Sequence, residues 1–177
     1  NVISILTGKG YVKQNFSEWG AFPLMYFLIL MFIGGCAGST ACGIKIFRVQ
    51  ILYQFISNQL KKIIYPRGIF NIKYEKNNID EKFMASIISF IFLYILIFFI
   101  VTALLSISGL SFITAISAAA TSISNVGPGL GEIIGPNGNF SQLTDFSKWI
   151  LSIAMILGRL ELFAVLVLFI PSFWRKY

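Results

Sequence analysis

Residues 111–131 read SFITAISAAATSISNVGPGLG, and the break inside this stretch decides the fold. Residues 111–123 are small and apolar, yet too few to cross a bilayer, which takes about 20 residues of helix. They predict a re-entrant half-helix, with Ser111 as an N-cap after Gly109, and their small side chains suit close packing among other helices. Residues 124–131 hold three glycines and Pro128, so the helix cannot continue. Irregular backbone at membrane depth is tolerated only inside protein or along a wet cavity, so the loop should line something. In an extended glycine-rich loop the carbonyls can all turn toward one axis, where a ring of them replaces the hydration shell of a potassium ion. The half-helix would direct its negative C-terminal end at the same point. On spacing alone, an outer surface turn fits the same residues equally well.

The flanking chain places this stretch in a membrane. Hydrophobic residues make up 56% of the 177 and charged ones 12%, with Phe alone occurring 18 times; soluble domains carry about a quarter charged residues. Residues 83–107 contain no charge and predict a full span. Residues 149–174 form a second apolar run, interrupted by Arg159 and Glu161. A third begins near Phe22 and is broken by Gly34-Gly35-Cys36-Ala37-Gly38-Ser39-Thr40-Ala41-Cys42-Gly43. The small residues of that break permit movement, although helix packing through small residues gives the same composition. The expected class is an all-α, polytopic membrane protein.

Charge sets the expected topology. The net charge is +7, but no basic stripe interleaves with aromatics as in a nucleic-acid surface. Lys61, Lys62, Arg67, Lys73, Lys76 and Lys82 fall in one connector, and Arg175 and Lys176 follow the last run, which is the positive-inside pattern. The connector and the C-terminus are therefore expected in the cytoplasm. Lys45 and Arg48 are expected to snorkel toward cytoplasmic headgroups. Histidine is absent, so Cys36 and Cys42 lack the usual partners of a metal site and read as small buried thiols. No P-loop occurs. The chain starts at Asn1 without a leader pattern, which suggests a start inside a longer protein.

A weak internal repeat organises the chain. Leu6-Thr7-Gly8-Lys9-Gly10 and Asn125-Val126-Gly127-Pro128-Gly129 share the pattern x-x-Gly-x-Gly, and each precedes a polar stretch and a glycine-bearing span, as internal symmetry in transport proteins would give. The expected divisions are 1–56, a basic linker at 57–82, and 83–177, the last holding spans at 83–107 and 147–174, a half-helix at 111–123 and a loop at 124–131.

Three blocks carry a resemblance to a known family. Residues 34–48 (GGCAGSTACGIKIFR), 124–131 (SNVGPGLG) and 158–161 (GRLE) resemble, in the same order, signature blocks of the TrkH proteins within the Trk/Ktr/HKT potassium transporter superfamily. That resemblance covers nearly the whole chain but less than half of the family's four helix, pore loop, helix repeats. It implies that residues 1–56 are the filter and second helix of the third repeat and 83–177 the fourth repeat. Leu6, Thr7, Gly8 and Gly10, with Asn125 through Gly129, would then lie on potassium-binding filter strands. Gly34 through Gly43 would form the intramembrane gating loop, and Arg159 an electrostatic barrier below the filter. Implied partners are lipid, a second copy of the subunit and a cytoplasmic nucleotide-binding regulator, in the inner (plasma) membrane. Potassium is cargo; no catalytic residue or cofactor is implied. Lys9 departs from the family pattern, which has a small or hydroxyl residue there. A cation beside the path would repel potassium unless its side chain points away from the axis. Two other readings stay open: a secondary cation transporter built on broken helices, and a non-conducting fragment.

Overall fold

A computed structural model of the chain describes residues 1–14, 19–36, 38–39, 41–68, 73–74, 77–131, 133–160, 165, 167 and 171–174. The helices are α1 (Val2–Leu6), α2 (Ala21–Phe32), α3 (Ile46–Ile64), α4 (Glu81–Ile107), α5 (Phe112–Ser124), α6 (Asp145–Arg159) and α7 (Pro171–Trp174). Between α3 and α4, the two-residue strands β1 (Lys73–Tyr74) and β2 (Asn77–Asn78) pair antiparallel, Lys73 with Asn78 and Tyr74 with Asn77.

The 27 residues of α4 give about 40 Å of helix, and α4 is the one described helix long and apolar enough to cross a bilayer. Its inner face, with Ile87, Phe90, Tyr94, Val101 and Leu105, is buried, while Phe92 and Phe99 on the outer side are 68% and 63% exposed. A helix apolar on every face needs an apolar surrounding beyond its own core.

At the centre lies α5. From Thr114 to Ser124 every residue except Ile116 is buried, because the Ala and Ser side chains let neighbouring backbones close in. One side of α5 meets α4 and α6 in a core containing Phe90, Tyr94, Ile123, Leu151 and Ala154. On its other side Ala120, with Val126 and Leu130 of the loop that follows α5, meets Ile5 of α1 and Phe27 and Met31 of α2. The closest approach is at Gly158 of α6, where a methyl group would overlap the Ile123 carbonyl oxygen and lie 2.7 Å from its carbon.

Four features differ from the sequence reading. The first is α3, which continues to Ile64, through the first eight residues assigned to the linker at 57–82. Gln, Leu and Lys favour helix, and Lys61 and Lys62 in the last turn suit its negative end. Second, α6 begins at Asp145, two residues before the expected 147, because the Thr144 hydroxyl accepts from the Ser147 N–H at 3.4 Å and Asp145 suits the first turn. Third, α6 closes at Arg159, with the Leu160 N–H bonded to Ile156 O at 3.1 Å. Glu161 and most of the remaining span to 174 lie outside the described residues. Finally, Ser111 takes the N-cap position of α5 without capping it; its hydroxyl pairs with that of Thr114 at 2.8 Å.

Candidate functional site

The loop after α5 is held from behind. Asn125 takes the left-handed conformation (φ 52°) that ends the helix. Its N–H bonds Ser122 O at 3.2 Å, and the Val126 N–H bonds Thr121 O at 3.0 Å, the pair of contacts that makes a Schellman closure. The Gly127 N–H donates to the Thr121 hydroxyl at 2.9 Å, and the Gly129 N–H to Ile134 O at 2.8 Å. Asn125 Nδ2 reaches Met155 O on α6 at 3.0 Å, and the Ser117 hydroxyl reaches Leu130 O at 3.0 Å.

At α1 the same closure recurs. The Gly8 N–H bonds Ile5 O at 3.0 Å, the Lys9 N–H bonds Ser4 O at 2.9 Å and the Gly10 N–H bonds Ser4 O at 3.3 Å. Structurally, then, Gly8 matches Asn125 and Gly10 matches Gly127, two residues out of step with the x-x-Gly-x-Gly pattern. The two loops run side by side in that register. A methyl group on Gly8 would lie 3.9 Å from Asn125 O, and one on Gly10 would overlap Val126 O. Positive φ falls at every second residue: Gly8 (65°) and Gly10 (68°) in one loop, Asn125 (52°) and Gly127 (110°) in the other. In an ordinary strand successive side chains and carbonyls alternate; reversing the handedness at alternate residues turns successive peptide groups the same way. Backbone donors thus point into the protein, while the Asn125 and Val126 carbonyls face the neighbouring loop.

Thr121 was not singled out by sequence, although a hydroxyl six residues before a glycine loop is the kind of group that holds one. Thr121→Val is expected to leave α5 intact and remove the partner of the Gly127 N–H, at a cost of about 1 kcal/mol. Thermal unfolding should show the loss, and Thr121→Ser should restore most of it.

Residues 34–43 make a loop with a closed neck. The Gly34 N–H donates to Ile44 O and the Ile44 N–H to Phe32 O, both at 2.9 Å, and Ile33 and Ile44 form a parallel bridge. A methyl group on Gly34 would sit 2.6 Å from Cys42 O, so this neck admits only glycine. Of the residues expected in the loop, Ala37 and Thr40 lie outside those described. Cys36 is exposed, contrary to the expected burial, and Cys42 is half-buried.

A cavity of about 230 Å³ is lined by Ser39, Cys42, Lys45, Arg48, Tyr94 and Arg159 among others. Arg159 Nη1 lies 3.7 Å from Cys42 Sγ, which ties the end of α6 to the loop. Arg48 packs on α4: its guanidinium lies 3.8 Å over the Phe90 ring and 5.4 Å from that of Phe47, and together with Lys45 it joins Arg159 around the cavity. Lys9 is exposed and borders a surface pocket formed by residues 1–13 alone. Among the described residues no group of His, Cys, Asp and Glu could hold a metal.

Comparison with known proteins bears on this geometry. The family described as "TrkH: Cation transport protein" matches residues 1–176. The chain is 44% identical to the Trk system potassium uptake protein TrkI of Halomonas elongata over 99% of its length, and 33% identical to TrkH of Escherichia coli over 99%. Each match takes in 36% of the relative, so the chain spans about a third of the length of these proteins. The crystal structure of the potassium transporter TrkH from Vibrio parahaemolyticus superposes with a TM-score of 0.87 over 96% of the chain and 36% of that protein, at 35% identity.

Proposed function

We propose, from the premise that this chain belongs to the TrkH family of cation transport proteins, that it contributes two of four filter strands to a potassium uptake pathway across the inner membrane. The observation that carries the reading is the pair of side-by-side loops, whose donors are tied back and whose Asn125 and Val126 carbonyls face the neighbouring strand. Such oxygens replace an ion's hydration shell, and the end of α5 adds partial negative charge. Enclosing the ion takes the strands that the rest of the full-length subunit would supply. Gly8 and Gly10, with Lys9 turned outward, and Asn125 through Gly129 then form half the filter, while Leu6 and Thr7, expected on the same strand, belong to the helical end of α1. The loop at 34–43 gates below it, and Arg159 sets the electrostatic barrier. The chain has no need of a catalytic residue. A second copy of the subunit and a cytoplasmic nucleotide-binding regulator complete the assembly, with the basic connector and the C-terminus on the cytoplasmic side.

Growth tests the reading. Cells lacking potassium uptake should grow at low potassium when given the full-length protein. Gly127→Ser, which puts a side chain at φ 110°, should lower the preference for potassium over sodium. Absence of rescue by the intact protein, both with Lys9 and with Lys9→Thr, would sink the transport claim.

A further inference from the structure

One face of α4 touches both ends of the 34–43 loop and the base of the filter loop. Phe90, Tyr94 and Phe98 recur every fourth residue and so share that face. Phe32, the last residue of α2 before the loop, sets its ring edge-on against Tyr94 (6.2 Å, 76°) and Phe98 (5.0 Å, 87°). Arg48, in the first turn of α3 after the loop, lies over Phe90, which in turn stacks on Tyr94 (6.1 Å, 30°). The Tyr94 hydroxyl bonds that of Ser124 at 2.8 Å, in a buried contact, and Ser124 is the last residue of α5 before Asn125. Phenylalanine would fill the same space at Tyr94, and a phenol hydroxyl in an apolar cluster destabilises unless bonded. Packing therefore accounts for the ring, and the hydroxyl calls for a role of its own.

We infer that Tyr94 is a positioning residue that couples the 34–43 loop to the filter, its ring holding Phe32 and Phe90 while its hydroxyl sets the end of α5. This rests on the reading of the two loops as gate and filter. Displacing the 34–43 loop moves Phe32 or Arg48, hence the Tyr94 ring, hence Ser124 and the carbonyls that follow it. The reverse path carries a change of the filter to the loop.

Two readouts on the full-length subunit test the coupling. In proteoliposomes, Tyr94→Phe and Ser124→Ala should each lower the potassium to sodium flux ratio, by about five- to tenfold as the loss of one buried hydrogen bond would give. The double variant should be no worse than either alone. The second readout needs no ion flow: with Cys42 as the sole cysteine, its rate of modification by a methanethiosulfonate reagent should shift severalfold in both variants. Packing alone would lower protein yield without moving either ratio or rate. Unchanged ratio and rate in Ser124→Ala, which keeps the Tyr94 ring, would overturn the coupling even if Tyr94→Phe fails to fold. Shifted labelling in a protein that carries no potassium would overturn the transport reading and leave the coupling standing.

Discussion

Replacing Gly158 by alanine is expected to cost the full-length protein much of its folded yield and to disturb the loop after α5 in what remains. The added methyl group would overlap the carbonyl oxygen of Ile123 and stand 3.1 Å from its Cα. The obstacle is backbone, so no rotamer change relieves it, and α6 must move off α5. Overpacked cores lose about 1–3 kcal/mol, and this site belongs at the upper end because α5 is enclosed on both sides. The displacement would also strain two contacts nearby: Asn125 Nδ2 to Met155 O at 3.0 Å and Arg159 to Cys42. Thermal unfolding in detergent should show a fall of several degrees relative to Gly38→Ala, where an added methyl group meets nothing within 4 Å among the described residues. A Gly158→Ala protein as stable as the parent would mean that α6 does not approach α5 this closely.

Some of this was visible in the residues because it depends on local composition. The uncharged run at 83–107 announces α4, and the Ala and Ser run before Gly127-Pro128-Gly129 announces a helix that must stop. The Gly34 to Gly43 break is likewise a matter of composition, and the neck that closes it needs glycine for reasons of close approach. Contacts between distant segments were hidden. Phe32, Phe90 and Tyr94 each look like one more apolar residue in a run, and only the approach of the end of α2 to α4 gives them a joint role. Arg48 follows the break, where a headgroup contact is the ordinary expectation, and nothing local reveals Phe90 beneath its guanidinium. The end of α6 at Arg159 was hidden because apolar residues continue past it. The offset between the two loops arises from where each helix closes, which a five-residue motif does not encode.

Removal of the Arg159 charge is expected to raise potassium flux by about ten- to a hundredfold. Its guanidinium borders the cavity and contacts the 34–43 loop, so on the proposed reading an ion leaving the filter passes nearby. At about 6 Å, two unit charges repel by about 1.4 kcal/mol for an effective dielectric constant of about 40 and about 2.8 kcal/mol for about 20, which gives that range of rates. Lys45 and Arg48 share the cavity and would keep part of the barrier, with Arg48 held over Phe90. Three substitutions separate charge from tether. Arg159→Ala removes both, Arg159→Lys keeps the charge, and Arg159→Gln keeps an N–H donor for Cys42 Sγ without the charge. If charge sets the barrier, Gln and Ala conduct alike and faster than the parent, while Lys stays near the parent. If the tether to Cys42 holds the loop shut, Gln stays near the parent and Cys42→Ala opens it. Flux unchanged in Arg159→Ala would leave Arg159 as the C-terminal residue of α6, where a cation suits the negative end of the helix, with no part in the barrier.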